Sequence, residues 1–218
     1  MIHENYKMLL FDIGGVIIDI DPSITENKFK ELSNSSDDKF NGLDYRYKTV
    51  SSDLTTLFIN YEQGFITDSE FRDGIRHIGS IDIPDKDIDN IWNLVIVKLN
   101  KSLLVIILTL NNNYSIMILS NTNNIHRIYF DSLCKRIYNK TFDHLFDHVF
   151  YSYEMGCRKP DKVIYENVID SSGFKPNEII FFDDMKENLT ECEKLGMNTC
   201  HVIDKKLFKK NLRGLINN

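Results

Sequence analysis

Five short runs along the chain are apolar on both faces and end on polar or glycine punctuation: residues 7–12 (KMLLFD), 114–120 (YSIMILS), 148–151 (HVFY), 178–183 (EIIFFD) and 199–203 (TCHVI). Continuous apolar runs of this length, without alternation, are the pattern of strands buried in a parallel sheet with helices on each side. The stretches between them carry helical spacing. One opens after Asn123 with Ile125, Ile128 and Tyr129. A second opens at Asp161, which follows Pro160 and is a residue type favoured at an N-cap, and carries Val163, Ile164, Val168 and Ile169. A third carries Leu189, Cys192 and Leu195 and stops at Gly196, a favoured residue just past a helix end. Strands alternating with helices predict an α/β fold: a doubly wound, mostly parallel, Rossmann-like sheet with right-handed crossovers.

Residues 21–99 break that rhythm and read as helices only, with polar junctions at 33–38, 51–53 and 80–85. Thr67-Asp-Ser-Glu70 spells a capping box ahead of Phe71, Ile75 and Ile78 on one helical face. Residues 85–99 then carry Ile88, Ile91, Trp92, Val95 and Val97. The division this predicts is an α/β core at residues 1–20 and 100–218 with a small α-helical cap, residues 21–99, inserted after the first strand. A module inserted just past the carboxyl end of a strand stands over the place where open α/β sheets bind ligands, which makes it a candidate lid.

Composition narrows the class. The 218 residues carry 26 Lys+Arg against 32 Asp+Glu, a net charge of −6, and 42 % are hydrophobic. That mixture is a globular one, and an acidic balance with no block of like charge speaks against a nucleic-acid partner. The longest clean apolar run, residues 103–108, is far short of the ~20 a membrane helix needs. No apolar segment before a small-residue cleavage site opens the chain, so the expectation is a cytoplasmic protein with no membrane and no obligate protein partner. Cys134, Cys157, Cys192 and Cys200 are scattered without a C-x-x-C pair and read as reduced, mostly buried thiols.

The chemistry gathers at the carboxyl ends of the predicted strands. The first ends at Asp12, followed by Ile-Gly14-Gly15; the second at Ser120-Asn121. Arg158-Lys159-Pro160-Asp161 lies just beyond the third, and the fourth ends at Asp183-Asp184. Three carboxylates around one point cannot all ionise without a counter-cation, so a divalent, oxygen-ligated metal is implied, and Mg²⁺ fits best. Lysine brings positive charge to phosphate oxygens, and a serine hydroxyl with backbone N–H groups completes a cradle. A carboxylate at Asp12 can take a phosphoryl group that water later releases. Gly14 and Gly15 allow a sharp turn and close backbone approach directly after it.

This order of parts resembles the haloacid dehalogenase superfamily of phosphatases, with Asp12 in its first motif, Ser120 in the second, Lys159 in the third and Asp183-Asp184 in the fourth. The wording FDIGGVIIDID, LSNTN with His126 nearby, GCRKPDKVIYENV and FFDDMKENL is similar to bacterial α-D-glucose-1-phosphate phosphatases. The resemblance implies a Mg²⁺-dependent phosphomonoesterase for a small phosphometabolite such as a sugar 1-phosphate, working through a phospho-aspartyl intermediate. It implies Asp12 as nucleophile, with Ser120, Asn121 (through its backbone) and Lys159 holding the phosphoryl oxygens. Asp12, the Gly14 carbonyl and Asp184 would bind the metal, with Asp183 close by.

One position departs from the superfamily's usual pattern. A second Asp normally stands two residues after the nucleophile and moves a proton to the leaving group; here Gly14 stands there, as in the subgroup. General acid–base catalysis is typically worth about 10²–10⁴-fold, and a leaving group as good as an anomeric oxygen needs less of it. Asp19 and Asp21 follow, but the alternation from Ile17 to Asp21 reads as a strand with a solvated face. Three rival readings share the residues: a metal-free 2-haloacid dehalogenase, against which the acidic pair argues; a phospho-accepting switch of the receiver type, whose acidic pair would precede the phosphoacceptor rather than come last; and a catalytically weak phosphometabolite-binding member, for which Gly14 argues.

Overall fold

The computed structural model describes residues 6–33, 39–41 and 52–216. Residues 1–5, residues 34–38 of the first polar junction and Ser51 of the second lie outside the described residues.

All five predicted strands form one parallel sheet: β1 (Met8–Phe11), β4 (Ser115–Ser120), β5 (His148–Tyr151), β6 (Ile179–Asp183) and β7 (Asn198–His201), in the order β5-β4-β1-β6-β7. Strand β1 is central, and the register sets Leu10 beside Met117 on one side and Phe181 on the other. The period of two explains why the runs are apolar throughout. Leu9, Phe11, Ile116, Ile118, Ile180 and Phe182 point to one face and pack with α5 (Lys101–Leu110), α6 (Asn124–Tyr138) and α10 (Lys205–Ile216). Met8, Leu10, Met117, Leu119, Ile179 and Phe181 point to the other and meet α8 (Lys162–Ser172) and α9 (Lys186–Lys194). The short helix α7 (Ser152–Met155) follows β5 directly. Asn123 caps α6, accepting the His126 backbone N–H at 3.0 Å, and Gly196 takes the positive φ (83°) that ends the turn after α9.

Between the first and second strands of that sheet lie α1 (Pro22–Leu32), α2 (Ser52–Glu62), α3 (Asp68–Gly79) and α4 (Asp85–Trp92). Asp21 caps α1 through the Ser23 N–H at 3.0 Å, and the predicted Thr67–Glu70 capping box opens α3. Their apolar faces close a third core around Phe29, Phe58, Phe71, Ile75 and Ile88, joined by Ile125 of α6.

The helices-only reading of residues 21–99 needs one correction. Helix α4 stops at Trp92, and Ile96–Leu99 is a strand, β3, paired antiparallel with β2 (Ile18–Ile20). Val95, Ile96 and Val97 are β-branched and lose rotamer freedom in a helix, and the pairing partner is Ile18-Asp19-Ile20, the alternating segment read as a strand. The β2–β3 ribbon carries the chain into and out of the inserted helices. Among the described residues no helix is long and apolar enough to cross a membrane.

Candidate active site

Parallel strands deliver their carboxyl-terminal residues to one edge, and here Asp12, Ser120 and Asp183-Asp184 arrive from the adjacent strands β1, β4 and β6. The loop after α7 adds Lys159, through a cis Lys159–Pro160 peptide. Lys159 is 2 % exposed, and its ammonium is fully engaged: it donates to Asp12 Oδ1 at 2.8 Å, to Asp183 Oδ2 at 2.7 Å and to the Leu119 carbonyl at 3.2 Å. Burial opposes that charge, but Asp12 and Asp183 outweigh it and hold the pKa above the usual lysine range. The Asp12 carboxyl is pushed up to about 7, chiefly by burial, with Lys159 pulling it down and Asp183 and Asp184 adding repulsion.

Asp183 is fully buried and does not line the cavity; it is the anchor beneath the lysine. It accepts the Met185 backbone N–H at 2.7 Å and the Asn188 amide at 3.0 and 3.1 Å, so Asn188 steadies this loop. Asp184 faces the cavity and lies against Gly15, where a Cβ would sit 2.0 Å from Asp184 Oδ2; Gly15 also takes a φ of +77°. Only glycine satisfies both conditions. Asp12, Asp183 and Asp184 each bring a carboxylate oxygen within 4.8 Å of the others. Three carboxylates crowd around one ammonium here, and such an all-oxygen donor set fits a hard divalent cation.

Ser120 is 2 % exposed at the end of β4, and among the described residues its hydroxyl makes only a long 3.5 Å contact to the Asn121 carbonyl. Asn121 does something the sequence did not disclose. Its side chain clamps the backbone of Lys159, accepting the N–H at 2.8 Å and donating to the carbonyl at 2.9 Å. Two bonds to one residue fix where the lysine stem starts. Gly14 lines the cavity with backbone alone, and an added Cβ would meet only the Ile20 side chain, at 3.4 Å. Asp19 and Asp21 do not line it: Asp19 pairs with Lys205, and Asp21 is occupied in capping α1.

These groups form the floor of a cavity of about 340 Å³. Its roof comes from the inserted helices and the β2–β3 ribbon, with Ile20, Pro22, Trp92, Val95 and Ile96. Polar contacts tie roof to floor. Arg158 pairs with Glu62 of α2 at 3.0 Å, and Asn124 donates to Asp68 of α3 at 2.8 Å. Tyr61 donates to Asp68 at 2.7 Å while accepting the Ile125 N–H at 3.3 Å. Arg158 was visible beside Lys159 and Trp92 as one of a series of apolar positions, but the pairing of Arg158 with Glu62, and the places of Trp92 and Asn93 beside His126, depend on contacts between distant segments. His126 was visible beside LSNTN, and the structure sets it in the cavity wall.

The sequence signature of the haloacid dehalogenase-like hydrolases matches residues 6–193. The D-ribitol-5-phosphate phosphatase of Bacteroides thetaiotaomicron is 27 % identical over 193 residues, spanning 88 % of this chain and 90 % of that protein. A haloacid dehalogenase family enzyme from the same organism, crystallised with magnesium and inorganic phosphate, is 32 % identical and superposes with a TM-score of 0.78, covering 90 % of this chain and 93 % of that one. The fold recurs in a haloacid dehalogenase-like hydrolase structure from Porphyromonas gingivalis, at a TM-score of 0.80 and 24 % identity over 96 % of this chain and 98 % of that one.

Proposed function

The chain belongs to the haloacid dehalogenase-like hydrolases, and within that family of enzymes we propose that this phosphatase is a Mg²⁺-dependent phosphomonoesterase for a small sugar or sugar-alcohol phosphate. The observation that carries the proposal is the buried ammonium of Lys159 suspended between Asp12 and Asp183, with Asp184 opening onto the same cavity.

Asp12 acts as the nucleophile. One carboxylate oxygen bonds to phosphorus as the bond to the ester oxygen breaks; water then cleaves the acyl phosphate, releasing inorganic phosphate and regenerating the carboxylate. Lys159 orients Asp12 and gives one N–H to a phosphoryl oxygen, and its 3.2 Å bond to the Leu119 carbonyl is the one surrendered most easily. Ser120 supplies a further donor, and Asn121 holds the lysine in place. Asp12, the Gly14 carbonyl and Asp184 hold the cation, with Asp183 behind them. When bound, Mg²⁺ neutralises the carboxylates and the phosphoryl oxygens. Residues 21–99 form the cap, whose closure excludes bulk water.

Gly14 has no side chain to protonate the departing oxygen, which favours esters that leave easily, sugar 1-phosphates among them. The kinship with an enzyme named for D-ribitol 5-phosphate supports the sugar-alcohol side of the class. A 2-haloacid substrate would bring its own carboxylate toward those of Asp12 and Asp184, and repulsion between like charges disfavours it. The test is phosphate release from ribitol 5-phosphate, glucose 1-phosphate, glucose 6-phosphate and an aryl phosphate, with Mg²⁺, with EDTA, and with Asp12→Asn. Turnover of a polyol or sugar ester that requires both metal and Asp12 is expected. Chloride release from a 2-haloacid without metal would point to the rival.

A further inference from the structure

The cavity wall holds an imidazole that the reaction so far described does not use. His126 sits in the first turn of α6 and lines the cavity, its ring stacked on Trp92 with centroids 4.9 Å apart and planes 9° from parallel. Its Nδ1 lies 2.9 Å from Asn93 Oδ1. A carboxamide oxygen only accepts, so Nδ1 carries the hydrogen, and in the neutral ring Nε2 is left with a lone pair. Burial pushes the imidazole down to about 3, which keeps it neutral. Among the described residues Nε2 has no hydrogen-bond partner, although the ring is clamped on one face by Trp92 and at one edge by Asn93.

A bare lone pair of this kind accepts a hydrogen and has none to give. It suits a hydroxyl, repels a second phosphate or a carboxylate, and cannot serve as the acid that Gly14 fails to provide. Nearby in the same wall, Arg158 is already engaged with Glu62 at 3.0 Å. We propose that His126, aimed by Asn93, is the specificity-determining residue for the leaving group: its Nε2 accepts a hydrogen bond from a hydroxyl of the alcohol, selecting esters of uncharged polyhydroxylated alcohols over apolar or anionic ones. This rests on the phosphatase reading above.

The test compares kcat/KM for ribitol 5-phosphate with that for an aryl phosphate in the unsubstituted protein and in His126→Phe, which keeps the stack on Trp92 and removes the acceptor. Leaving a substrate hydroxyl unpaired in a closed site is expected to lower the polyol-to-aryl ratio about tenfold or more. His126→Gln, which restores an acceptor, should recover part of it. Equal losses on both esters, or a ratio unmoved in His126→Phe, would overturn the assignment and leave the phosphatase reading standing. Absence of turnover of every ester by the unsubstituted protein would overturn that reading and this inference together. Nitrogen-15 spectra of the metal-free protein give a readout independent of catalysis: a protonated Nδ1 and a bare Nε2 are expected at His126, shifting toward the mixed tautomer in Asn93→Leu. A protonated Nε2 in the unsubstituted protein would also sink the proposal.

Discussion

Replacing Lys159 by methionine tests the electrostatic centre of the site without greatly changing its volume. The substitution removes donors held at 2.8 Å by Asp12 and 2.7 Å by Asp183 and leaves two buried carboxylates facing each other. Hydrogen bonds to charged groups are worth about 1.5–3 kcal/mol each, and breaking a buried ion pair from one side costs about 3–5 kcal/mol. The two estimates agree on a loss of about 3–5 kcal/mol where both carboxylates are ionised. The loss is not uniform in pH. In the folded metal-free chain Asp12 sits at about 7, and an unfolded aspartate titrates near 4. Between those values the folded chain holds a proton that the unfolded chain has released, so the contribution of this group falls as pH rises through the window. Without Lys159 the folded value rises further, and Lys159→Met goes on losing stability above pH 7 where the unsubstituted chain levels off. Urea unfolding followed by circular dichroism in EDTA, at pH 5.5 and pH 8, measures both. A deficit below about 1 kcal/mol at pH 8, or the same deficit at both pH values, would refute the charge-compensating role given to Lys159.

Two glycine substitutions follow from the same geometry with opposite expectations. Gly15→Ala places a Cβ 2.0 Å from Asp184 Oδ2 at a φ of +77°, so the Asp184 carboxylate must move. We expect it to weaken the Mg²⁺-induced rise in melting temperature and to lower kcat/KM by a factor of about ten or more, while a melting temperature that still responds fully to Mg²⁺ would contradict the placement of Asp184. At Gly14 an added Cβ would meet the Ile20 side chain at 3.4 Å, so the backbone has room for a side chain, and in the presence of Mg²⁺ to offset the added carboxylate Gly14→Asp should fold with a stability within about 1 kcal/mol of the parent. It supplies the missing proton donor, so turnover of an alkyl phosphate should rise relative to that of an aryl phosphate; an unchanged ratio would show that leaving-group protonation is not what Gly14 costs this enzyme.

What the chain disclosed about itself follows the range of the interactions involved. The central strands were legible because burial on both faces leaves a local mark, a run such as MLLF or IIFFD with no polar interruption. The residues at their ends were legible as a set, since parallel strands bring their carboxyl ends to one edge whatever the loops do. Ile96–Leu99 carries a helical signature, since Val95 and Val97 continue an apolar series begun by Ile88 and Ile91, and only pairing with Ile18–Ile20, across the whole insertion, decides otherwise. The place of Asn121 in the sequence marks its backbone alone, while its side chain holds Lys159, 38 residues away. The roof of the cavity was the least legible part. Glu62 has meaning through Arg158 and Asn93 through His126, and neither pairing leaves a spacing that a single sequence reveals.

The claim on which the rest depends is that Asp12 becomes phosphorylated. Protein quenched in mid-turnover with a sugar or sugar-alcohol phosphate and Mg²⁺, then reduced with borohydride and digested, should yield a peptide in which residue 12 is homoserine, since an acyl phosphate is reduced where a free carboxylate is not. The conversion should vanish without substrate and without metal. Turnover that proceeds with Asp12 unmodified, or a reduced carboxyl at a different residue, would contradict the account.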